Sequence, residues 1–571
     1  YDLIDKLKFK SSYSLDYSYL KDIMHYPSTA AESWQSGVTG RGLFANSENL
    51  TWLTENMLTY ETSFHQKHHL NLLLVYTTQN ASNDVASILA QNYSNDNLGA
   101  LDLAADIVDA STMGTSWGIE SLVSRVNYNL DYKYYLTASV RRDGSSRFGS
   151  NRRYGIFPSF SAAWRLTKEP FMSDFGFLSD MKLRYSYGKT GNQDGINNFA
   201  SRALWTVAAA YNGSAGISPS RMGNAELEWE TTTQNNFGFD ASFLDNRFSV
   251  TFDTYQKLTT GLLLDSNVPG FTGFTTVTRN IGEVMNSGTE FSFRSFNIDT
   301  EDFTWTTTFN VSTIKNEITK LEQDDQDIAT NILKEGYPLG AFYLIHWEGV
   351  DPETGNSSYT DINGDGVINS ADMQPIKDKT PWPDYFGGFG NSISWKGFDL
   401  NVFFQFSKGN YVFNHSRYAQ EQVGWSFNYG GFFIPYGNNT ERVDNERWQN
   451  PGDETDIPRA SLGYEFDDEG NVIGAPQPNW MEDCDQWLED ASYIRLKTLE
   501  FGYTVPSSFS ERYGFSSLRI YILGQNLWTK TDYLGVDPEV SSNGEIITRV
   551  GEDYGGLGQP KTVYFGINVG I

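Results

Sequence analysis

The sequence predicts an all-β protein built as a transmembrane antiparallel β-barrel, and three observations support that prediction. Apolar and polar residues alternate with a period of two in many segments of the 571-residue chain. Aromatic residues make up 15% of the chain, a share expected where rings form girdles at both interfaces of a bilayer. Tight turns and very long connections occur together, which is typical of outer-membrane barrels.

The alternation is clearest in the last ten residues. Apolar side chains occupy every second position and so share one face of a predicted strand: Val563, Phe565, Ile567, Val569 and Ile571. The residues between them are mostly small or polar. The pattern recurs over residues 398–407, where Phe403 is an exception, and over residues 134–141. Such strands suit a wall between lipid and a wet interior.

Connection lengths separate a barrel from a soluble sandwich, because strands alternate in both. The apolar positions of 237–243 and 248–252 predict a hairpin closed by the tight turn at 244–247. By contrast, residues 409–490 are rich in Gly, Pro, Asn, Trp and acids and show little periodicity. This predicts a connection far longer than compact soluble domains use.

Composition excludes several classes of protein. Lys and Arg number 42 against 71 Asp and Glu, a formal net charge of −29, which leaves no broad basic surface for nucleic acid. The single cysteine, Cys484, excludes an internal disulfide and a Cys-rich metal site. No run approaches the roughly 18 apolar residues of a membrane helix. Contact with membrane lipid is therefore expected through strands.

Several longer sequence motifs occur along the chain. They are RDGSSRFG (142–149), GIFPS (155–159), AW (163–164), TGN (190–192), WE (229–230), NIG (280–282), NSG (286–288), WLEDASYIRLK (487–497), GQNL (524–527) and GVDPE (535–539). Together they closely resemble the signature stretches of SusC-like TonB-dependent transporters. Their Gly and Asn residues supply turn conformations, and Arg142 with Asp143 predicts an opposed charge pair where a strand leaves the membrane.

The resemblance implies an architecture and a function. Members of the family have barrels of about 22 strands around an N-terminal plug. Residues 1–571 would supply roughly the C-terminal 16 strands. No plug and no TonB box is recognised in the chain, so we expect the plug and the first strands upstream. The resemblance also implies active import of an oligomeric nutrient, a glycan or a peptide, across the bacterial outer membrane, with TonB and a SusD-like surface lipoprotein as partners.

One local motif predicts a bound metal ion within this barrel portion. Residues 361–372 place oxygen ligands at the spacing of a calcium loop, with the side chains of Asp361, Asn363, Asp365, Asn369 and Asp372 and the carbonyl of Val367. Gly366 takes the required glycine position. The last ligand is Asp where EF-hands have Glu, a feature that resembles dockerin loops. The alternative is an Asn/Gly-rich turn, and in either case the role is structural.

No catalytic arrangement emerges from the sequence, and we expect no enzyme. No Ser/His/Asp set can be defended, and no phosphate-binding glycine loop precedes a helix. Two alternatives to the importer stay open on residue patterns alone. A secreted or surface all-β protein for glycan binding or adhesion would also be rich in strands and aromatic residues. A passive porin would share the barrel but would need no TonB.

Overall fold

A computed structural model describes most of the chain. The described residues are 2–30, 33, 36–207, 216–321, 326–328, 330–421, 426–429, 432–435, 440–460, 465–466, 472–474, 479, 481, 483–544 and 546–571. Strands dominate, and the helices are short: His415–Glu421, Glu441–Glu446 and Ser507–Ser510. Within these residues, no helix combines the length and the apolar character needed to cross a membrane.

The chain divides into two compact units. The first comprises Tyr1–Trp164, Arg184–Asn235 and Leu258–Gly282, and the second comprises Arg165–Leu183, Asn236–Lys257 and Glu283–Ile571. Each unit is an antiparallel meander in which strands adjacent in sequence are hydrogen-bonded neighbours. The large antiparallel sheet of the described residues contains 17 strands. The sequence-based expectation of roughly 16 antiparallel strands is therefore confirmed.

Seven strands of the large sheet build the first unit, and six of them are long. They are β1 (Asp2–Ile4), β2 (Leu7–Tyr26), β3 (Arg41–Phe64), β4 (His68–Tyr93), β5 (Ala104–Leu130), β6 (Tyr134–Ser145) and β7 (Tyr154–Arg165). Strands β3, β4 and β5 contain 24, 26 and 27 residues, whereas about 9–11 residues cross a bilayer. These strands therefore continue well past the membrane.

Three strands pass from one unit to the other, and seven belong to the second unit. The shared strands are β8 (Leu178–Asn192), β9 (Glu230–Phe243) and β10 (Phe248–Thr260). The second unit continues with β11 (Glu283–Asp299), β12 (Phe303–Lys320), β13 (Tyr385–Trp395), β14 (Phe398–Lys408), β15 (Tyr493–Thr504), β16 (Ser517–Thr531) and β17 (Thr562–Gly570). The predicted hairpin at 237–252 is confirmed, and its turn residues Leu244, Asp245 and Asn246 all have positive φ.

Short strands lie in the connections. They are Leu204–Thr206, Ser218–Arg221, Leu263–Asn267, Thr276–Asn280, Gln326–Ile328, Asn331–Leu333, Ala341–Ile345, Trp347–Val350, Ser357–Tyr359, Met373–Pro375, Tyr411–Asn414, Ser426–Tyr429, Phe432–Pro435, Glu465–Phe466, Val472–Gly474, Leu488–Asp490 and Glu552–Asp553. Many pair locally: Tyr411–Asn414, for example, pairs with both Leu488–Asp490 and Glu552–Asp553. The described part of 409–490, which the sequence predicts as a long connection, is thus a packed scaffold.

The strands with clear alternation separate an apolar face from a polar face. On β6, Leu136 and Val140 are exposed on the apolar face, while Ser139 on the other face hydrogen-bonds Ser159 of β7 at 2.6 Å. The predicted row on β17 is exposed as well, because Val563, Phe565, Ile567 and Val569 keep 65%, 72%, 55% and 47% of their surface accessible. These side chains are not buried in a protein core, so they are available for contact with lipid.

The exception at Phe403 has a packing explanation. Phe403 lies on the polar face of β14, opposite Gly390 of β13. A Cβ added at Gly388 would come within 2.4 Å of the Phe403 ring, so the ring occupies space that the glycines leave free. An aromatic side chain on the polar face thereby packs against its neighbouring strand, while 37% of its surface stays exposed.

The predicted pair between Arg142 and Asp143 is wrong. Neighbouring residues on a strand point to opposite faces, so these two side chains separate. Asp143 instead pairs with Arg141, two residues away on the same face, at 2.7 Å. The Arg142 guanidinium lies 3.9 Å from the centroid of the Tyr154 ring. The opposed charges near this strand end are thus Arg141 and Asp143.

Placing a charge on the apolar face of β17 tests the orientation of that strand. In lipid vesicles, Ile567→Arg should lower the free energy of unfolding by about 2–4 kcal/mol, because its guanidinium must enter hydrocarbon. Asn568→Arg is the matched control, one residue further and on the opposite face, and it should change the stability little. Urea titrations of the vesicle-embedded protein measure both. Equal losses for the two variants would contradict the assignment of faces.

Candidate functional site

The polar face of the first unit carries a row of hydrogen-bonded side chains near the tight turns. Asn71 donates to Glu61 at 2.6 Å, and Thr137 donates to Asn127 at 3.0 Å. Asn127 in turn donates to Asn71 at 3.5 Å, which links four strands. A cavity of about 530 Å³ opens over this row. The row offers amide and hydroxyl groups to a polar partner, with no catalytic pair among them.

Four of the family-like strings, at 142–149, 155–159, 190–192 and 229–230, meet in one apolar cluster on the polar face. Phe148, Phe157, Leu227 and Trp229 are buried there, and the rings of Phe148 and Trp229 are 4.7 Å apart. The Trp229 indole donates to the carbonyl of Arg153 at 3.0 Å. A Cβ at Gly191 would stand 2.1 Å from the Phe157 ring, so this position requires glycine. Residues of these sequence motifs therefore pack the loops against the barrel wall.

A second apolar cluster lies in the long connections of the second unit. Its fully buried members include Phe342, Phe413, Cys484 and Trp487. The Trp487 indole donates to the carbonyl of Met481 at 2.7 Å. Burial raises the pKa of the Cys484 thiol, which keeps it protonated at neutral pH. Cys484 thus contributes as a small apolar side chain.

Buried ion pairs hold this cluster to the neighbouring helix His415–Glu421. Arg417 lies 2.9 Å from Glu421 and 2.9 Å from Glu489, and all three side chains are at most 10% exposed. Arg442 reaches the same Glu421 at 2.9 Å and also pairs with Asp456. Each buried charge therefore has a partner, which is the condition for tolerating it in a protein interior.

Arg495 is the centre of another buried network. Its guanidinium pairs with Asp537 at 2.6 Å and also with Glu539, and its side chain is 2% exposed. Burial alone would raise the pKa of Asp537, but hydrogen bonds from Arg495 and from the backbone of Glu539 and Gln559 outweigh it and hold that pKa below its usual value. The network joins the string at 487–497 to the string at 535–539.

The predicted calcium loop is closed by its own hydrogen bonds. The carboxylate of Asp361 accepts from the backbone of Gly364 at 2.7 Å and Gly366 at 2.8 Å. Asn363 accepts from Asp365 N–H at 2.9 Å, Asp365 accepts from Val367 N–H at 2.8 Å, and Asn369 donates to the Val367 carbonyl at 3.1 Å. Asp372 is fully buried and accepts from Ile362 and Asn369. In the described part of the chain, no three His, Cys, Asp or Glu side chains are gathered as metal ligands.

Comparison with known families decides what kind of protein carries these features. The family model described as "TonB dependent receptor-like, beta-barrel" matches residues 1–410. The chain belongs to this family. Its members lie in the bacterial outer membrane, so the receptor is an integral protein of that membrane. The apolar faces described above are accordingly lipid-facing, and the resemblance seen in the sequence is confirmed.

Relatives of the receptor agree with this assignment. "TonB-dependent receptor P3" of Formosa agariphila is 33% identical over all of this chain and 57% of its own length. "TonB-dependent receptor SusC" of Bacteroides thetaiotaomicron is 31% identical over 77% of this chain and 43% of its own length. A solved chain titled "Structure of the RagAB peptide transporter" matches 99% of this chain and 60% of itself, with 26% identity and a TM-score of 0.82. None of these names denotes an enzyme, in agreement with the expectation from the sequence.

The receptor chain spans between two fifths and three fifths of the length of these relatives.

The described scaffold contains buried charged side chains that the sequence patterns did not predict, above all Arg417 and Arg442. Arg417 and Glu421 stand four residues apart, a spacing that allows a helical ion pair, but the surrounding sequence shows no periodicity that predicts a helix. The sequence also predicts that the aromatic-rich segment 425–436 contacts the lipoprotein or stacks on sugar rings, because both roles need rigid amphipathic area. The side chains of this segment lie outside the described residues.

Replacing Arg495 tests how much the ion-pair network around it contributes to the stability of the receptor. Arg495→Met should lower the free energy of unfolding by about 3–5 kcal/mol, because Asp537 and Glu539 would be left buried without their partner. Lys497→Met is the control, since Lys497 lies 3.6 Å from Glu539 and is 32% exposed, and should cost about 1 kcal/mol or less. Denaturant unfolding followed by tryptophan fluorescence compares them.

The same experiment has a pH arm. Because the pKa of Asp537 is depressed in the folded state, its contribution is complete above its unfolded value of about 3.9 and disappears as the pH falls through the folded value. The difference between wild type and Arg495→Met should therefore shrink below about pH 4. A difference that is constant from pH 7 to pH 2, or equal losses in both variants, would contradict the network's role.

Proposed function

We propose that the chain forms the wall of an active importer that carries an oligomeric nutrient, a glycan or a peptide, across the outer membrane. The observation that supports this proposal most is the likeness to the RagAB peptide transporter over 99% of the chain. The name SusC carried by another relative points to the same class of transporter. An energy source is part of the proposal: TonB would supply it from the inner membrane.

The two faces of the sheet suit this role. The lipid-facing side presents apolar rows such as that of β17, and the opposite side presents hydrogen-bonding groups such as Asn71, Asn127 and Thr137. A polar solute that passes along the polar face can exchange hydrogen bonds with water for hydrogen bonds with these groups. An adhesion protein in water would gain nothing from the exposed apolar rows, which would promote its aggregation.

The proposal includes the partners implied by the relatives. We infer that the plug, the remaining strands and the contact with TonB come from the length by which the relatives exceed this chain. A SusD-like surface lipoprotein would deliver the nutrient at the extracellular side. The packed scaffold around Trp487 and Arg417 offers that lipoprotein a rigid base, because its charges are paired and its apolar side chains are buried.

Uptake by intact cells tests the importer. Fluorescent oligopeptides and oligosaccharides should enter the periplasm of cells that make the full-length protein, and entry of one of the two classes should stop when either the gene or tonB is deleted. Restoring the gene is the control for polar effects on neighbouring genes. Uptake that survives loss of TonB would indicate a passive pore, and unchanged uptake without the gene would remove the proposal.

We also propose that the loop 361–372 binds Ca²⁺ as a structural ion. Its oxygens come from Asp361, Asn363, Asp365, Asn369 and Asp372 and from the carbonyl of Val367. Hydrogen bonds from the backbone of Asn369 and Ile362 outweigh desolvation and hold the pKa of Asp372 below its usual value, so that its carboxylate is ionised at neutral pH. A carboxylate oxygen that already accepts a backbone hydrogen bond keeps a second lone pair for a cation.

Calorimetry and proteolysis test the calcium loop. Millimolar calcium should release or absorb heat with a stoichiometry of about one and should slow cleavage within 361–372, in line with the affinity of extracellular sites. Asp365→Ala should abolish both effects and leave the unfolding transition of the wall unchanged. Asp378→Ala, an exposed acid in the same connection, should behave as wild type. No binding heat and no protection at millimolar calcium would exclude the site.

A further inference from the structure

Six residues form a concave patch on the lipid-facing side of three neighbouring strands. Trp52 of β3 is paired with Asn80 of β4, and Asn80 is paired with Gly118 of β5. One step further along, Leu50, Ser82 and Ser116 are paired in the same way. Cross-strand partners share a face of the sheet, so these six positions make a continuous array of three by two.

The register fixes the face and the height of this array. Even-numbered residues of β4 lie on one face, and they include Leu72, Leu74 and Tyr76, which belong to the apolar band that contacts lipid. Asn80 follows Tyr76 by four residues, about 13 Å along the strand and about 10 Å along the membrane normal for a tilted strand. The array therefore faces outward, just beyond the hydrocarbon, at the level of lipid head groups.

Residues of a connecting segment line the rest of the concavity. Phe199 and Arg202, from the connection after β8, line the concavity together with Ser146, whose hydroxyl accepts from Gly118 N–H at 2.9 Å. The open concavity has a volume of about 430 Å³, in the range of small-molecule sites. A Cβ at Gly118 would come 2.6 Å from the Asn80 amide oxygen, so the glycine leaves room for the Asn80 side chain in its present position.

The lining has the chemistry that recognises a sugar ring. Trp52 and Phe199 provide aromatic faces for the C–H groups of a pyranose, and Asn80 and Arg202 provide hydrogen bonds for its hydroxyls. Within the described residues, neither the Asn80 amide nor the Arg202 guanidinium has a hydrogen-bond or ion-pair partner, although Arg202 lies 5.5 Å from the Phe199 ring. Glu48 and Asp84 lie two positions further along the same face, and their charges disfavour a bare phosphate in the concavity.

We propose that this concavity binds the saccharide head group of a glycolipid in the outer leaflet of the outer membrane. The outward orientation and the position above the apolar band favour a lipid-borne sugar over a nutrient on the polar face. The site would seat the receptor in its membrane and order the connection that carries Phe199 and Arg202. The proposal depends on the outer-membrane location and is independent of the proposed transport.

Native mass spectrometry of the full-length receptor tests the proposal. The probes are rough-type lipopolysaccharide, which carries lipid A and core sugars, and phosphatidylglycerol as the sugar-free lipid. Lipopolysaccharide should be retained preferentially, and Trp52→Ala and Asn80→Ala should each weaken retention about three- to tenfold, the loss expected for one stacked ring or one hydrogen bond. Trp52→Phe keeps an aromatic face and should restore most of the retention.

Matched controls separate binding from folding. Trp205→Ala removes another tryptophan, one that is 63% exposed and lies outside the concavity, and should leave retention unchanged. Equal retention by wild type, Trp52→Ala and Asn80→Ala at unchanged unfolding temperature would overturn the proposal. Binding of the released core oligosaccharide as tightly as the intact lipid would overturn it too, because the sugar would then come from solution. Uptake assays on the same variants should stay at the wild-type level.

Discussion

The structure depends on one constraint, that every backbone N–H and C=O group at membrane depth needs a hydrogen-bond partner within the protein. Hydrocarbon offers no alternative partner, and each unsatisfied group costs several kcal/mol, about as much as a large core substitution. The antiparallel meander satisfies this constraint for the interior strands. Among the described residues, β17 has one hydrogen-bonded neighbour, β16, and the far edge of β2 is paired only with β1 at Asp2 and Ile4.

For the long connections, the main energetic cost is the loss of conformational entropy. Outside the membrane, long connections lose conformational entropy when they become ordered, and this loss has to be offset by packing. The second unit offsets it with an apolar cluster around Trp487 and with networks centred on Arg417 and Arg495. Because a buried charge without a partner is costly, the ion pairs favour the native arrangement over others that bury the same surface. The loops can then hold a defined shape above a wall whose own stability comes from the sheet.

The wall was predictable from the sequence, and the scaffold was only partly so. Strand periodicity is a local property, so the exposed row of β17 and the hairpin at 237–252 follow from the residues themselves. Trp487 and Arg495 lay in a string that indicated the family, but their partners Met481, Asp537 and Glu539 are set by tertiary packing, which no local pattern reports. The sequence also predicted a pair between Asp143 and Arg142, whereas the partner of Asp143 in the structure is Arg141. Strict alternation along the strand would have predicted Arg141, because residues two apart share a face.

The edge of β2 offers the most direct test of whether the wall is continuous in the membrane. Half of the backbone amides of Leu7–Tyr26 point toward β3, and the others point away from it. If the wall is continuous in the membrane, both sets must be hydrogen-bonded. Hydrogen–deuterium exchange of the full-length receptor in membrane vesicles measures this at single-residue resolution. A continuous wall predicts slow exchange for both sets. Fast exchange confined to the amides that point away from β3 would show an open edge in lipid and would contradict it.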